Sequence, residues 1–476
     1  MTMMENCPNC GEKVFFSGPI CPSCGKDREQ VAAHPAGKPP PPAIAKTSGA
    51  ESNSLAFWAA MALIVLAVCS FVYDWTMVAD TGSIDYRNRV TGMRLLSKGI
   101  DPYHYKWTTG KPEQFCDPYE NPNVPITKTT VSPAMLVAGW PLAVLPYGTS
   151  KAAWLLAEWA MLGGIWLMWL KWSGHTSASR WWWSVLVVGF SFTLTWRHHV
   201  DHGQGYLLWA FLLSGWLRLS VLNRSGWPTW LAGLVAGLLV CLRPPLLLAV
   251  GPLLVLRRRN QVLGAVFGVL LGLGLPALLK PDVWQDYGRA MATWSQLYRT
   301  QSEPRPGQRA IPPKIEGIST DQLASFWVKQ FVDSSLYRIG RYAGWQEISD
   351  KAMLAALCLA FGLWLLLSRP ASDPAFMLGL AAWCYLADGF LPAYRYPYGD
   401  VMIIATIAML PALGLGRKFG YGLALIGTAA GIWIVNIHPP QKEWIYLPPL
   451  GLALLALFVI LLSSRRRGVP NQLSEA

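Results

Sequence analysis

Two groups of residues have the types and spacing to do chemistry. CPNCGEK and CPSCGKD set Cys7, Cys10, Cys21 and Cys24 as two C-x2-C pairs with ten residues between them, and a Gly follows each second Cys. Four thiolates so spaced suit a tetrahedral, structural Zn(II), and the glycines permit the tight turns that aim backbone amides at sulfur. Two disulfides in an exported domain are the other reading of the same cysteines. No cleavable leader is seen before them, which favours the reduced, zinc-bound form. The second group is a set of carboxylates, Asp74, Asp80, Asp85 and Asp101, that follow the first apolar run. A carboxylate at the mouth of a membrane domain is placed to take the proton of an attacking hydroxyl. Asp85 is the expected base and Asp80 its rival. Asp85 has a plainer reading as the N-cap of the helix it precedes.

Other polar residues can serve the same site. Arg243 and Arg395 carry guanidinium groups suited to a phosphate, which Arg binds bidentately without losing charge. Arg243 precedes Pro244-Pro245 and can equally snorkel at the end of a span, as can Arg395. His198-His199-Val200-Asp201-His202 offers three imidazoles and a carboxylate, but ligands this close in sequence need a helix or hairpin to converge. A catalytic divalent metal is not expected there. Hydrogen bonding to substrate by His202 and Gln204, or a wetted loop without a role, are the alternatives. Trp284, Tyr287, Met291, Trp294 and Tyr298 repeat at 3, 4, 3 and 4 residues. That is one helix face, expected in the headgroup region, with sugar stacking as the sharper reading.

The elements that must hold these groups are apolar. The chain has 476 residues, 53% of them hydrophobic and 14% charged, with 25 Trp. Soluble domains carry about 25% charge, so the composition excludes a soluble enzyme and predicts an all-α polytopic membrane protein. The net charge of +13 lies mostly between apolar runs and reflects topology rather than nucleic acid. Twelve spans are expected, at 55–73, 151–171, 181–197, 203–222, 229–242, 244–256, 261–279, 351–368, 374–391, 398–415, 420–436 and 445–463. Several are shorter than the ~20 residues a bilayer needs, so the pair flanking Arg243 can instead form a re-entrant hairpin. With the N-terminus inside, Lys171, Arg180, Arg224, Arg257–Arg259, Arg369, Arg417, Lys418 and Arg465–Arg467 all face the cytoplasm. Both termini are then cytoplasmic. The stretch 132–147 breaks this count as a crossing, and its three prolines make it a re-entrant or juxtamembrane helix.

Segments 74–131 and 280–350 then lie outside, where no nucleotide pool exists, and no nucleotide-binding fingerprint is present. Residues 85–103 predict an amphipathic helix stopped by Gly99 and a Pro102 turn. Residues 303–317 form a loop able to cover an acceptor. The expected organisation is a zinc ribbon over 1–30, a Pro/Ser-rich tether over 31–54, a membrane domain over 55–465 and a tail over 466–476. The N-terminal segment resembles the short zinc-ribbon family, and the tether leaves it free to recruit a cytosolic protein partner.

The membrane domain resembles glycosyltransferase family 87, the polytopic mannosyltransferases of the GT-C fold. Asp85 opening a short helix and the Gly99–Tyr103 turn are like that family's first outer segment. TVSPAMLVAGWPLAVLP at 130–146, DHGQGYLLWAFLL at 201–213 and CLRPPLLLAVGPLLVLRRR at 241–259 look like its later motifs. FLPAYRYPYGD at 390–400 departs from it, with Arg395 and no His. The resemblance implies transfer of a hexose, mannose in the family, from a polyprenyl-phosphate donor to an extracytoplasmic lipid or glycan acceptor, with inversion. Asp85 would be the base, with Arg243, Arg395, His202, Gln204 and Tyr103 contacting substrate. It implies the cell membrane as the location, an outward-facing site and no nucleotide cofactor. A transporter or flippase with a regulatory ribbon is the alternative, and it predicts repeats or mid-span charges, neither of which the sequence displays. An oligosaccharide ligase of the same fold is a third reading.

Overall fold

The computed structural model describes residues 5–6, 13–14, 49–80, 82–118, 120, 124–170, 177–222, 226–249, 259–300, 350–367, 373–390, 397–402 and 404–405. Cys7, Cys10, Cys21, Cys24 and Arg395 lie outside these residues, as do the loop at 303–317 and the expected spans at 420–436 and 445–463. The chain divides into two units, residues 1–60 and 61–476. In the first, strands β1 (Glu5–Asn6) and β2 (Lys13–Val14) pair antiparallel, Glu5 opposite Val14 and Asn6 opposite Lys13.

Among the described residues, everything else with regular structure is helical. The helices are α1 (Gly49–Asp80), α2 (Ile84–Ser97), α3 (Pro133–Ala143), α4 (Tyr147–Leu170), α5 (Ser177–Phe190), α6 (Leu194–His202) and α7 (Tyr206–Leu222). They continue with α8 (Trp227–Leu242), α9 (Arg259–Leu279), α10 (Val283–Thr300), α11 (Asp350–Leu367) and α12 (Asp373–Phe390). Among the described residues two helices are long and apolar enough to cross a membrane, Ala56–Asp80 in α1 and Arg259–Leu279 in α9, with mean hydropathy 2.3 and 2.4. Both leave large apolar side chains uncovered, Ile64 and Val68 on one and Leu270 and Leu278 on the other, as a hydrocarbon surrounding permits.

Close backbone approach joins α8 to α9. A Cβ at Gly237 would stand 2.1 Å from the Ala265 carbonyl oxygen, and one at Gly264 would stand 2.1 Å from that of Trp230. Small residues four apart on both helices, Gly233 and Gly237 against Gly264 and Gly268, allow this contact, the usual basis of helix association in lipid.

Three expectations about elements change or sharpen. The run 181–197 is not one span: α5 stops at Phe190, and the Thr193 hydroxyl accepts the Trp196 amide at 3.2 Å, capping a new helix. The stretch 132–147 contains the 11-residue α3, about 16 Å long and too short to cross. Ser132 caps it, with its hydroxyl also donating to the Leu242 carbonyl at 3.0 Å. The segment after Arg243 begins as a single 3-10 helix, Pro244–Ala249.

The aromatic stripe on α10 turns inward rather than toward headgroups. Trp294 is buried and its indole nitrogen donates to the Thr127 carbonyl at 3.0 Å. Tyr287 packs against Tyr103, ring centroids 5.5 Å apart, and the Trp284 indole donates to the Leu273 carbonyl at 3.0 Å. Tyr287 and Trp294 therefore clamp the segment that carries the Gly99–Tyr103 turn.

Candidate functional site

The first turn of α2 meets the tight turn joining α6 to α7. Gly203 ends α6 with φ +61°, its amide bonded to the Val200 carbonyl at 2.9 Å and the next amide to that of His199 at 3.1 Å. A Cβ on Gly203 would lie 2.6 Å from the Cβ of Tyr86. Tyr86 cannot retreat: its hydroxyl shares a 2.8 Å hydrogen bond with Ser150, and its ring stacks on Trp154 at 5.5 Å. Burial pushes the Tyr86 phenol up to about 12. Ser83, itself left-handed at φ 69°, donates its amide to the Asp201 carbonyl and accepts the Tyr147 hydroxyl at 2.8 Å. Gly203→Ala combines about 1–2 kcal/mol of left-handed strain with that clash. It is expected to lower both the unfolding temperature and turnover, which a thermal melt and a transfer assay on one preparation would check.

Asp85 does not cap α2. Ser83 holds the cap position, and Asp85 is a half-buried residue of the first turn, where the helix dipole favours a carboxylate. Its Oδ2 accepts from Nε2 of Gln204, and Arg89 donates to Oε1 of Gln204 and to the Gly203 carbonyl. Both polar ends of Gln204 are thus used within the protein. Asp80 is exposed, at the end of α1 near Lys151, whose ammonium donates to the Val78 and Ala79 carbonyls. His202 is half-buried, with Nδ1 2.9 Å from the His198 carbonyl oxygen.

Tyr103 is fully buried, and its hydroxyl donates to the Val131 carbonyl at 2.9 Å. In this structure Tyr103 anchors the segment that follows α2 through that bond, with its ring closed from solvent. The turn before it is held by Asp101, which accepts the Tyr103 amide at 2.8 Å and lies 2.8 Å from His104 Nδ1. Burial works to raise the Asp101 carboxyl, but the bonds from His104 and the Tyr103 amide outweigh it and hold the group below its usual range. Asp101, His104 and Asp286 converge closely enough to share a cation, whereas the His198–His202 run forms no such group among the described residues. Lys280 and Arg289 already pair with Asp286.

Several ionisable groups, Asp74 and Arg243 among them, have partners that the sequence does not reveal. Asp74 accepts the indoles of Trp159 and Trp196 at 3.0 and 2.9 Å and pairs with Arg197. Glu158, midway along α4, is 1% exposed and stands 3.2 Å from Nε2 of His199, which is 0% exposed. The expectation of no mid-span charge therefore fails. Arg243 pairs with the buried carboxylate of Asp388 and lies over the rings of Tyr206 and Trp209, at 5.2 and 4.7 Å. Its charge is neutralised by a partner 145 residues away.

A helical membrane protein with a short carboxylate-bearing helix packed against the α6–α7 turn is the class these observations define. Residues 130–396, more than half of the chain, match glycosyltransferase family 87, and the chain belongs to that family. Gln204 and Arg243 fall inside the matched region, and α2 with Asp85 precedes it. No curated protein and no solved structure matched.

Proposed function

We propose that this glycosyltransferase moves a hexose, mannose by family resemblance, from a polyprenyl-phosphate donor to a lipid or glycan acceptor at the outer face of the cell membrane. The observation that carries the reading is Asp85: ionisable, half-buried, and held by Gln204 at the start of a helix beside the bundle. In the transfer step the acceptor oxygen attacks the anomeric carbon and its proton passes to Asp85. The bond from that carbon to the phosphate oxygen breaks, the electron pair leaves with the polyprenyl phosphate, and the configuration inverts. Arg243 and Arg395 are the candidates for the departing phosphate, and His202 for a sugar hydroxyl. Asp74 and Asp388 are closed from solvent and matched by Arg197 and Arg243, and Glu158 and His199 lie against one another in the same interior. Membranes given labelled polyprenyl-phosphate-mannose and an extract of envelope lipids should yield labelled product, and a nucleotide sugar in its place should yield none. Labelled product from the nucleotide sugar alone would overturn the donor assignment.

The positive-inside pattern supports a topology with both termini cytoplasmic. An impermeant thiol reagent applied from outside should then label cysteines introduced at 310 and 440 and spare those at 258 and 466. Labelling at 258 would place the proposed site on the wrong side.

The four N-terminal cysteines form a donor set suited to Zn(II), and the β1–β2 pairing returns the chain across the first Cys pair. Elemental analysis of the purified protein should find about one zinc per chain. Removal of residues 1–50 should leave transfer largely intact, and loss of all turnover would make the ribbon part of the working enzyme.

A further inference from the structure

We propose that Arg89 and Gln204 form a positioning pair that presents one chosen oxygen of Asp85 to the acceptor; the proposal rests on Asp85 being the base. Arg89 and Gln204 are 5% and 4% exposed, so neither offers its side chain to a substrate. The amide of Gln204 stands between the guanidinium and the carboxylate, accepting from Arg89 through Oε1 and donating to Asp85 through Nε2.

The ends of a glutamine amide are nearly the same shape and differ only in that one accepts and the other donates. Arginine only donates. Arg89 therefore forces the carbonyl end of Gln204 toward itself, which leaves the NH2 end facing Asp85. A second Arg89 bond, to the Gly203 carbonyl, ties the guanidinium to the turn that carries Gln204 and so fixes the donor that selects the carbonyl end of the amide. Arg89 is four residues after Asp85 on α2, the spacing at which an Asp and an Arg can pair directly. A direct pair would engage both carboxylate oxygens in a fork. The interposed amide engages Oδ2 and leaves Oδ1 as the oxygen that receives the hydroxyl proton.

The test uses full-length protein in nanodiscs, labelled polyprenyl-phosphate-mannose and extracted envelope lipids, comparing Arg89→Lys, Gln204→Met, the double variant and Asp85→Asn. Lysine keeps the charge but lacks the planar fork that sends separate nitrogens to the Gln204 amide and the Gly203 carbonyl, and methionine keeps the volume of Gln204 without its amide. Each single change should lower kcat by about 10²-fold, the cost of a misplaced catalytic group, with the donor KM unchanged. The double variant should be no slower than the worse single one, because both remove the same restraint. Neither should slow Asp85→Asn further. Gln204→Met with wild-type kcat, a raised donor KM at unchanged kcat, or additive losses in the double variant, while Asp85→Asn is inactive, would overturn the pair and leave the base standing. Wild-type turnover by Asp85→Asn would remove the base itself, and the pair with it. If Arg89→Lys does not fold, the kcat and KM of Gln204→Met decide the matter alone.

Discussion

Asp85→Asn is expected to lower sugar transfer by about 10²–10⁴-fold while the lipid donor still binds. The change is nearly isosteric, and the Asn side-chain oxygen can still accept from Gln204, so the turn that locks α2 to α6 and α7 should survive. What is lost is the acceptor for the hydroxyl proton, an interaction made only as the new bond forms, so kcat should fall and donor affinity should not. Asp80→Asn supplies the contrast. Asp80 is exposed at the end of α1 and should tolerate the change at close to wild-type turnover. Activity lost with Asp80→Asn and kept with Asp85→Asn would move the base five residues upstream.

Arg243→Ala should act first on stability. Asp388 is 0% exposed, and removal of its guanidinium partner leaves a buried carboxylate uncompensated, a defect worth about 3–5 kcal/mol. The single variant therefore cannot report on phosphate binding, because a low yield of folded protein would look like lost affinity. The double variant Arg243→Met with Asp388→Leu removes both charges and should regain most of the unfolding temperature, since apolar replacement of a buried pair is close to neutral. If Arg243 also holds the departing phosphate, that restored protein should bind the donor about 10–100-fold more weakly, the loss of one charged hydrogen bond. Donor affinity equal to wild type in the double variant would make the pair purely structural.

The helix carrying Asp85 could be read from the sequence because its determinants are local: apolar residues at helical spacing, then Gly99, which adopts φ +68° and stops the helix before the Pro102 turn. The short α3 could be read from its prolines and from charge counting. The break at 191–193 was missed because averaging over an apolar window hides one capping Thr. The inward turn of the α10 stripe was missed for a different reason. An aromatic helix face has the same period whether it meets headgroups or protein, and only its partners, Tyr103 and the Thr127 carbonyl, decide. The ion pairs Arg243–Asp388 and Asp74–Arg197 and the Glu158–His199 contact are not legible in the sequence because their partners are remote along the chain. Tyr103 ends a motif-like turn, and its burial follows from packing that the turn itself does not encode.

Single-turnover chemistry separates cleavage of a lipid-phosphate sugar donor with transfer of the sugar from movement of the intact donor across a bilayer. Purified protein in nanodiscs, given acceptor extract and polyprenyl-phosphate-mannose labelled in the sugar, should release one polyprenyl phosphate for each sugar that appears on the acceptor. The new glycosidic bond should have inverted anomeric configuration, and Asp85→Asn should release neither product at an appreciable rate. Donor recovered intact from the same protein, but moved across the bilayer of sealed vesicles, would contradict the account and establish a flippase.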